Sequence, residues 1–427
     1  MDINHIHHLF LKSNGISIDT RKISENSIFV AIKGERFDAN TFAKEALDKG
    51  ALCVVIDDAS FYIDERTILV NNSLVALQQL ASFHRDYLNI PIVALTGSNG
   101  KTTTKELIQV VLSKKFKTKA TVGNLNNHIG VPLTLLSFDS ETEIGIVEMG
   151  ANHKKEIEFL CQLAKPNFGY ITNFGKAHLE GFGGVEGVIQ GKSEMYQYLL
   201  SSDGLAFVNL EDIIQVEKSK TLKIYSFGVN KENADVSIGT VRANPFVEVS
   251  CQGVCISSHL IGLYNANNLN AALTIGKYFK VDDLAIKEAL EVYVPENNRS
   301  QLMTKGTNEI ILDAYNANPS SMAVAIQNFV QLEKQNKVMI LGDMFELGDE
   351  SLEEHKAIVE LDLIGDVIDC YFVGEAFYEN RNDKPNFKFY KTFSDFENYL
   401  KEASISKSMI LIKGSRGMAL ERTLDFL

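Results

Sequence analysis

Ile92-Val93-Ala94-Leu95-Thr96-Gly97-Ser98-Asn99-Gly100-Lys101-Thr102-Thr103-Thr104 is the stretch on which the reading of this chain turns. Ile92 to Leu95 is short and wholly apolar, the pattern of a strand buried on both faces of a parallel sheet. The glycines that follow let the backbone close around an anion. Lys101 adds a cation, Thr102 a hydroxyl suited to Mg²⁺, and the helical stretch Lys101 to Leu112 aims its first N–H groups at the same point. Strand, turn and helix together predict a phosphate-binding loop formed by Gly97, Ser98, Asn99, Gly100, Lys101, Thr102 and Thr103, with a nucleoside triphosphate as ligand. The common form of such a loop has a glycine five residues before Gly100. This chain has Leu95 there, which points away from the generic NTPase loop.

Upstream, the apolar runs Ile28 to Ile32, Leu52 to Ile56 and Ile68 to Val70 alternate with a helical pattern near Phe42 to Lys49, the signature of a small α/β unit. A helix around Leu74 to Tyr87 then leads through Asn89-Ile90-Pro91 into the loop strand, which places a first boundary near residue 89. Downstream, strands are expected at Ile144 to Met149, Phe168 to Asn173 and Leu205 to Asn209 with helices between them, the rhythm of a parallel sheet covered on both sides. From about Ala234 to His259 the alternation shortens, predicting an antiparallel extension before a helix at Asn265 to Tyr278. Pro295-Glu296-Asn297-Asn298 is polar and turn-prone and marks a second boundary. Strands at Glu309 to Asp313, Val338 to Leu341, Val367 to Val373 and Met409 to Ile412 then alternate with helices in a doubly wound, Rossmann-like unit. No Gly-x-Gly-x-x-Gly opens its helices, and the fold alone does not imply a dinucleotide. The expected fold class is α/β with three domains, at residues 1–88, 89–296 and 297–427.

The 427 residues carry 42 Lys plus Arg against 55 Asp plus Glu, a formal net charge of -13. That balance argues against a nucleic-acid partner, so an anionic substrate has to be met by locally gathered cations. The N-terminus has no basic segment leading into an apolar core, and no apolar run reaches the length of a membrane span. A cytoplasmic location without membrane insertion is expected. Cys53, Cys161, Cys251, Cys255 and Cys370 are odd in number and scattered, as reduced thiols are. His5, His7 and His8 read as the exposed start of a helix rather than as metal ligands.

Glu148 ends an apolar strand beside the predicted loop, where an open α/β sheet presents ligand groups, and a carboxylate there can hold Mg²⁺. Further segments place this residue in a wider pattern. Asn124-Leu125-Asn126-Asn127-His128-Ile129-Gly130, Val147-Glu148-Met149-Gly150-Ala151-Asn152-His153 and Ala177-His178-Leu179-Glu180-Gly181-Phe182, in this order after the loop, resemble the central-domain motifs of the Mur ligase family. The resemblance runs from about Ile18 to the C-terminus. It implies a small substrate-binding domain, a central ATPase domain and a C-terminal Rossmann-like domain. In the third domain, Asp313-Ala314-Tyr315-Asn316-Ala317-Asn318-Pro319, Leu341-Gly342-Asp343-Met344-Phe345-Glu346-Leu347-Gly348 and Lys413-Gly414-Ser415-Arg416-Gly417-Met418 resemble the branch that attaches D-alanyl-D-alanine to UDP-N-acetylmuramoyl-tripeptide.

Residue by residue, the resemblance implies that Lys101, Asn126, Glu148, His178 and Lys192 serve catalysis. Thr102, Glu148, His178 and Lys192 would hold Mg²⁺, with Lys192 carrying a carbamate, since an anionic carbamate attracts a metal that a cationic amine repels. Asn268, Arg299 and Asp313 would meet ATP. Asn265 to Asn268 could equally cap the following helix. Asp19, Thr20, Arg21, Lys33, Phe37 and Asp38 resemble the uridine-nucleotide pocket, although an Arg21 salt bridge at the surface is a plainer reading. The expected reaction is ATP-dependent amide ligation through an acyl phosphate, by a monomer acting on small molecules. The branch that adds the third amino acid shares the loop, Glu148 and the lysine. A nucleotide-sensing module without catalysis is disfavoured by the intact Lys101, Glu148, His178 and Lys192.

Overall fold

The computed structural model describes residues 2–296 and 298–427; Met1 and Asn297, the latter inside the expected boundary at 295–298, lie outside the described residues. Three sheets follow one another along the chain. The first has four parallel strands in sequence order, Ile16–Ser17, Ile28–Val30, Cys53–Ile56 and Thr67–Leu69. Its middle strands are buried on both sides. Val54 and Ile56 pack with Ala43, Ala46 and Leu47 of the helix Ala43–Asp48, while Cys53 and Val55 face Ile6, Phe10 and Leu77. Asp19, Asp38 and Asp58 each accept a backbone N–H at the head of a short 3-10 turn, which fixes the loops at the strand ends.

The expected exposed start at His5, His7 and His8 needs correction at one position. A helix Ile3–Phe10 forms, but His7 lies on its inner face, 4% exposed, against the helix Ser73–Leu88. His84 of that helix gives its Nε2–H to the Phe138 carbonyl at 2.9 Å, so its Nδ1 accepts from His7 Nε2–H at 3.1 Å. Helix periodicity explains the outcome. His7 is one residue from Ile6 and three from Phe10, and all three share the buried face.

The helix Ser73–Leu88 ends with Asn89 in the left-handed conformation, φ 47°, and its Arg85 reaches the Ala164 carbonyl at 3.0 Å. The chain then enters the nine-stranded central sheet. From one edge its order is Val254–Ile261, Phe246–Cys251, Val236–Ala243, Lys223–Val229, Leu205–Asn209, Phe168–Ile171, Ile92–Thr96, Ile144–Glu148 and Thr118–Ala120. All neighbours are parallel except the first two pairings, where Phe246–Cys251 runs antiparallel to both of its neighbours. The loop strand is central and alternates between two cores. Val93 and Leu95 pack under the helices Lys101–Leu112 and Ala266–Tyr278, while Ile92 and Ala94 face the opposite layer. Val93, Leu95 and Ile92, fully removed from water, each contribute roughly 1.5–3 kcal/mol before entropy is charged against them.

The third sheet has the order Gln301–Lys305, Asn308–Asp313, Met409–Lys413, Lys337–Gly342, Asp369–Val373 and Phe387–Tyr390, parallel except for its first hairpin. Among the described residues no helix is long and apolar enough to cross a membrane.

Candidate active site

In the central sheet the chain reverses direction of growth around Ile92–Thr96, which lies between Ile144–Glu148 and Phe168–Ile171. Such a switch point opens a crevice beyond the strand ends. Three adjacent strands deliver three groups to it: the phosphate loop, Glu148 and the segment from Asn173 to His178.

The loop is held from its own sheet. Ser98 N–H donates to the Asn173 carbonyl at 3.1 Å and Asn99 N–H to Asn173 Oδ1 at 3.0 Å. Gly97 has φ 142°, and a Cβ there would stand 2.0 Å from Thr172 Oγ1, so only glycine lets the loop lie against the neighbouring strand. Gly100 has φ 78° and opens the helix Lys101–Leu112. Lys101 Nζ folds back on the Gly97 carbonyl at 2.8 Å. Burial lowers its pKa and Arg299 adds to the effect, while Glu148 opposes it.

Glu148 is 1% exposed. Its Oε1 accepts from Asn126 Nδ2 at 2.8 Å, and its Oε2 is buried without a hydrogen-bond partner among the described residues. A buried carboxylate oxygen left unsatisfied is costly in a purely structural role and suits a cation ligand. Thr102 is buried nearby at the head of its helix. Hard oxygen donors of this kind fit Mg²⁺. Lys192 is not a helix-surface lysine: it is 1% exposed, and its Nζ reaches the Ala151 carbonyl at 3.2 Å. Burial, then the charge of Lys101, hold its pKa well below the ordinary value. A lowered pKa favours the neutral amine, which is the form that adds CO₂, so the residue fits a carbamate.

Asn268 is engaged within the protein at both ends of its amide. Its Oδ1 accepts from Thr104 Oγ1 at 3.0 Å and its Nδ2 donates to Asn265 Oδ1 at 2.8 Å. Asn265 stands at the N-cap position but makes no side-chain cap bond, so the capping alternative is not realised. Asn265 Nδ2 turns back to the Ile261 carbonyl instead.

From the third domain, Asp313 and Lys413 sit in register on adjacent strands, paired at 2.6 Å. Arg299 lies 3.6 Å over the Tyr315 ring with its Nε unpartnered among the described residues. Ser98 to Thr103, Asn126, Glu148, Asn268, Arg299, Asp313 and Lys413 line one cavity of about 1100 Å³ between the two domains; Gly97 does not line it, and Lys192 lies behind Ala151. His178 lines it too, its Nδ1 paired with Glu346 of the third domain.

The first-domain set lies outside that cavity. Asp19 is held down to about 2 by its bonds to Arg21, whose side chain is otherwise 86% exposed. Lys33 pairs with Asp38 at 3.2 Å, and the exposed Phe37 stacks on Phe42. The plain surface pair at Arg21 is therefore present. Sequence reasoning missed the contact of Glu346 with His178 and that of Asn318 Nδ2 with Asn99 Oδ1 at 2.8 Å. Both residues stood in segments already quoted, but nothing local marked them as cross-domain contacts.

Sequence profiles of the family match all three parts of the chain. The Mur ligase family catalytic domain covers residues 12–85, the Mur ligase middle domain 95–276 and the Mur ligase glutamate ligase domain 298–416. The chain belongs to the Mur ligase family and is a ligase. Among its relatives, the UDP-N-acetylmuramoyl-tripeptide–D-alanyl-D-alanine ligase of Bacillus subtilis is 34% identical over 96% of this chain and 92% of its own length. The ligase of that name from Haemophilus influenzae is 34% identical over 95% and 92%. MurF from Acinetobacter baumannii superposes with a TM-score of 0.85 at 32% identity, covering 96% and 92%. The MurF ligase of Thermotoga maritima, solved in complex with ADP, gives 0.84 at 26% over 98% and 97%.

Proposed function

We propose that this chain joins D-alanyl-D-alanine to UDP-N-acetylmuramoyl-tripeptide at the expense of ATP, completing a peptidoglycan precursor in the cytoplasm. The observation that carries this reading is the 34% identity to the Bacillus subtilis ligase across 96% of the chain, because that span includes the third domain. In this reading residues 1–88 bind the uridine nucleotide through Asp19, Thr20, Arg21, Lys33, Phe37 and Asp38. Residues 89–296 bind ATP, and residues 297–427 close over it and bring the dipeptide.

A carboxylate is a poor acyl donor. The tripeptide's terminal carboxylate attacks the γ-phosphorus of ATP, forming an acyl phosphate and ADP. The dipeptide amine then attacks the acyl carbon, and the bond to the phosphoryl oxygen breaks with loss of phosphate and a proton. Lys101 follows the charge moving onto the phosphoryl oxygens, and Asn126, fixed by Glu148, borders the transfer. Thr102, Glu148, His178 and a Lys192 carbamate would hold Mg²⁺, whose chemistry when bound is to neutralise phosphate charge. Arg299 and Asp313 meet the nucleotide from the third domain, and Asn268 braces the loop on the adenine side. Closure keeps water from the acyl phosphate.

One assay tests the whole reading: phosphate release and product formation with each tripeptide nucleotide, with D-alanyl-D-alanine, D-alanine and diaminopimelate in competition. The expected result is dipeptide-dependent release and exclusive incorporation of D-alanyl-D-alanine. Addition of diaminopimelate to a dipeptide nucleotide would move the chain to the branch that installs the third amino acid. ATP binding without ligation of any acceptor would leave a sensing module.

A further inference from the structure

The loop after the strand Lys337–Gly342 is pinned residue by residue to its own domain. Asp343 accepts from the Ala376 and Phe377 N–H groups, both at 3.0 Å. Met344 N–H donates to His355 Nε2 at 2.9 Å, and His355 Nδ1–H in turn goes to the Ser351 carbonyl at 2.6 Å. Phe345 N–H donates to Ser415 Oγ at 2.8 Å. The next residue, Glu346, takes φ 63° and turns its carboxylate away from this anchored base to His178 Nδ1 on the central domain. His178 also has a positive φ, 54°. Two non-glycine residues in the left-handed region, meeting side chain to side chain, mark a contact that the surrounding structure imposes rather than a chance surface pair.

The segment bearing His178 is gripped by the third domain at further points. Lys176 N–H donates to Ser320 Oγ at 2.8 Å and Lys176 Nζ pairs with Glu354. Upstream, Asn318 holds Asn99 of the phosphate loop itself.

A carboxylate on Nδ1 places the imidazole proton there and leaves Nε2 as the basic nitrogen. We propose that Glu346 is a positioning residue of the phosphate site. Docking of the third domain delivers its carboxylate to His178, which fixes the ring's tautomer and orientation with Nε2 available to the metal. This is the relation in which a carboxylate behind a ligating histidine sets its geometry, here split between two domains. Docking and the loading of the phosphate site then favour each other by linkage. The metal half of the inference rests on the ligase reading above; the tautomer half does not.

The test uses the full chain with ¹⁵N-labelled histidine, with Glu346→Ala, Glu346→Gln and Glu354→Gln, and a non-hydrolysable ATP analogue. The His178 imidazole resonances are assigned by their loss in His178→Asn. The expected wild-type form carries its proton on Nδ1. Glu346→Ala should release the tautomer, while Glu346→Gln, whose amide oxygen still accepts, should keep it. In parallel, the Mg²⁺ concentration that half-saturates analogue binding should rise at least about 10-fold in Glu346→Ala and less in Glu346→Gln. Circular dichroism and binding of the uridine nucleotide to the first domain report whether each variant is folded. An unchanged tautomer in a folded Glu346→Ala overturns the proposal whether or not the chain ligates anything. Glu354→Gln, which weakens docking without touching His178, should release the tautomer in part, because the carboxylate reaches His178 only when the third domain docks. A released tautomer with no change in Mg²⁺ dependence overturns the metal half alone.

Discussion

Asn268 and Gly100 offer a quantitative test of how the phosphate loop is braced. A Cβ added at Gly100 would lie 2.5 Å from Asn268 Oδ1 and 3.1 Å from both its Cγ and its Nδ2. Gly100→Ala therefore has two costs. Alanine at φ 78° costs about 1–2 kcal/mol, and expelling the Asn268 amide loses its bonds to Thr104 and Asn265, about 1 kcal/mol each. The sum is about 3–4 kcal/mol. Asn268→Ala alone removes the same two bonds and leaves the Thr104 hydroxyl and Asn265 Oδ1 unpartnered in a buried site, roughly 3 kcal/mol. In the double variant the obstructing atoms are gone, so only the backbone cost adds to the Asn268→Ala cost, about 4–5 kcal/mol in total. The double variant should thus be about 2 kcal/mol more stable than the sum of the singles. Urea unfolding followed by far-UV circular dichroism measures it, since the chain has no tryptophan to serve as a fluorescent probe. The four proteins are compared on the transition that reports the central sheet, because a three-domain chain need not unfold in one step. Additivity within about 0.5 kcal/mol would refute the contact as the source of the strain.

Acid sensitivity follows from the buried histidines. Burial lowers the pKa of His7, His84 and His355 below the ordinary 6.5; the unfolded chain then takes up protons first, so stability is full above about pH 6.5, falls as pH drops below it, and levels off once the folded pair is protonated. Melting temperatures at pH 7.5 and 5.5 should differ accordingly, a window above the range where the carboxylates titrate, and equal values would contradict the His7–His84 arrangement. Lys192→Ala should be nearly inactive, and short-chain carboxylic acids should partly restore turnover by supplying the oxygens of a carbamate. Full activity without additive, or density showing a bare amine on a phosphate together with indifference to bicarbonate, would argue for a direct lysine contact.

Those parts of the site that depend on local chain geometry were legible in the sequence. Ile92 to Leu95 read as a buried strand because every residue is apolar, and a strand buried on both faces leaves no polar position. Glu148 read as a site residue because a strand end beside a phosphate loop is where such a sheet opens. Five strands escaped, Ile16–Ser17, Thr118–Ala120, Lys223–Val229, Gln301–Lys305 and Phe387–Tyr390, two of them for reasons visible in their composition. Thr118–Ala120 is a three-residue edge strand, and Lys223–Val229 begins with exposed residues before its buried half. His7 escaped because the partner that makes its burial tolerable, His84, lies 77 residues away. The same reason, on a larger scale, hid Asn318 and Glu346. Their partners are 219 and 168 residues away in another domain, and the contacts exist only through docking, which no periodicity encodes.

Docking also resolves how a chain with net charge -13 can gather cations for anionic substrates. The cavity's cations come from two domains: Lys101, Lys154 and Lys155 from the central domain, Arg299 and Lys413 from the third domain. Lys413 is already paired with Asp313, and Lys101 stands with Glu148 as its nearest opposing charge. Arg299 stacks on Tyr315 and raises the positive potential at Lys101, which is the direction in which it lowers that lysine's pKa. At the phosphate loop itself the central domain therefore offers Lys101 and the loop N–H groups, and the third domain adds the guanidinium. The docked arrangement that brings Arg299 to the cavity also places Asn318 on the loop and Glu346 on His178. In the reaction proposed above, such a site would be assembled and covered in one step, so that the acyl phosphate would form where water is already excluded.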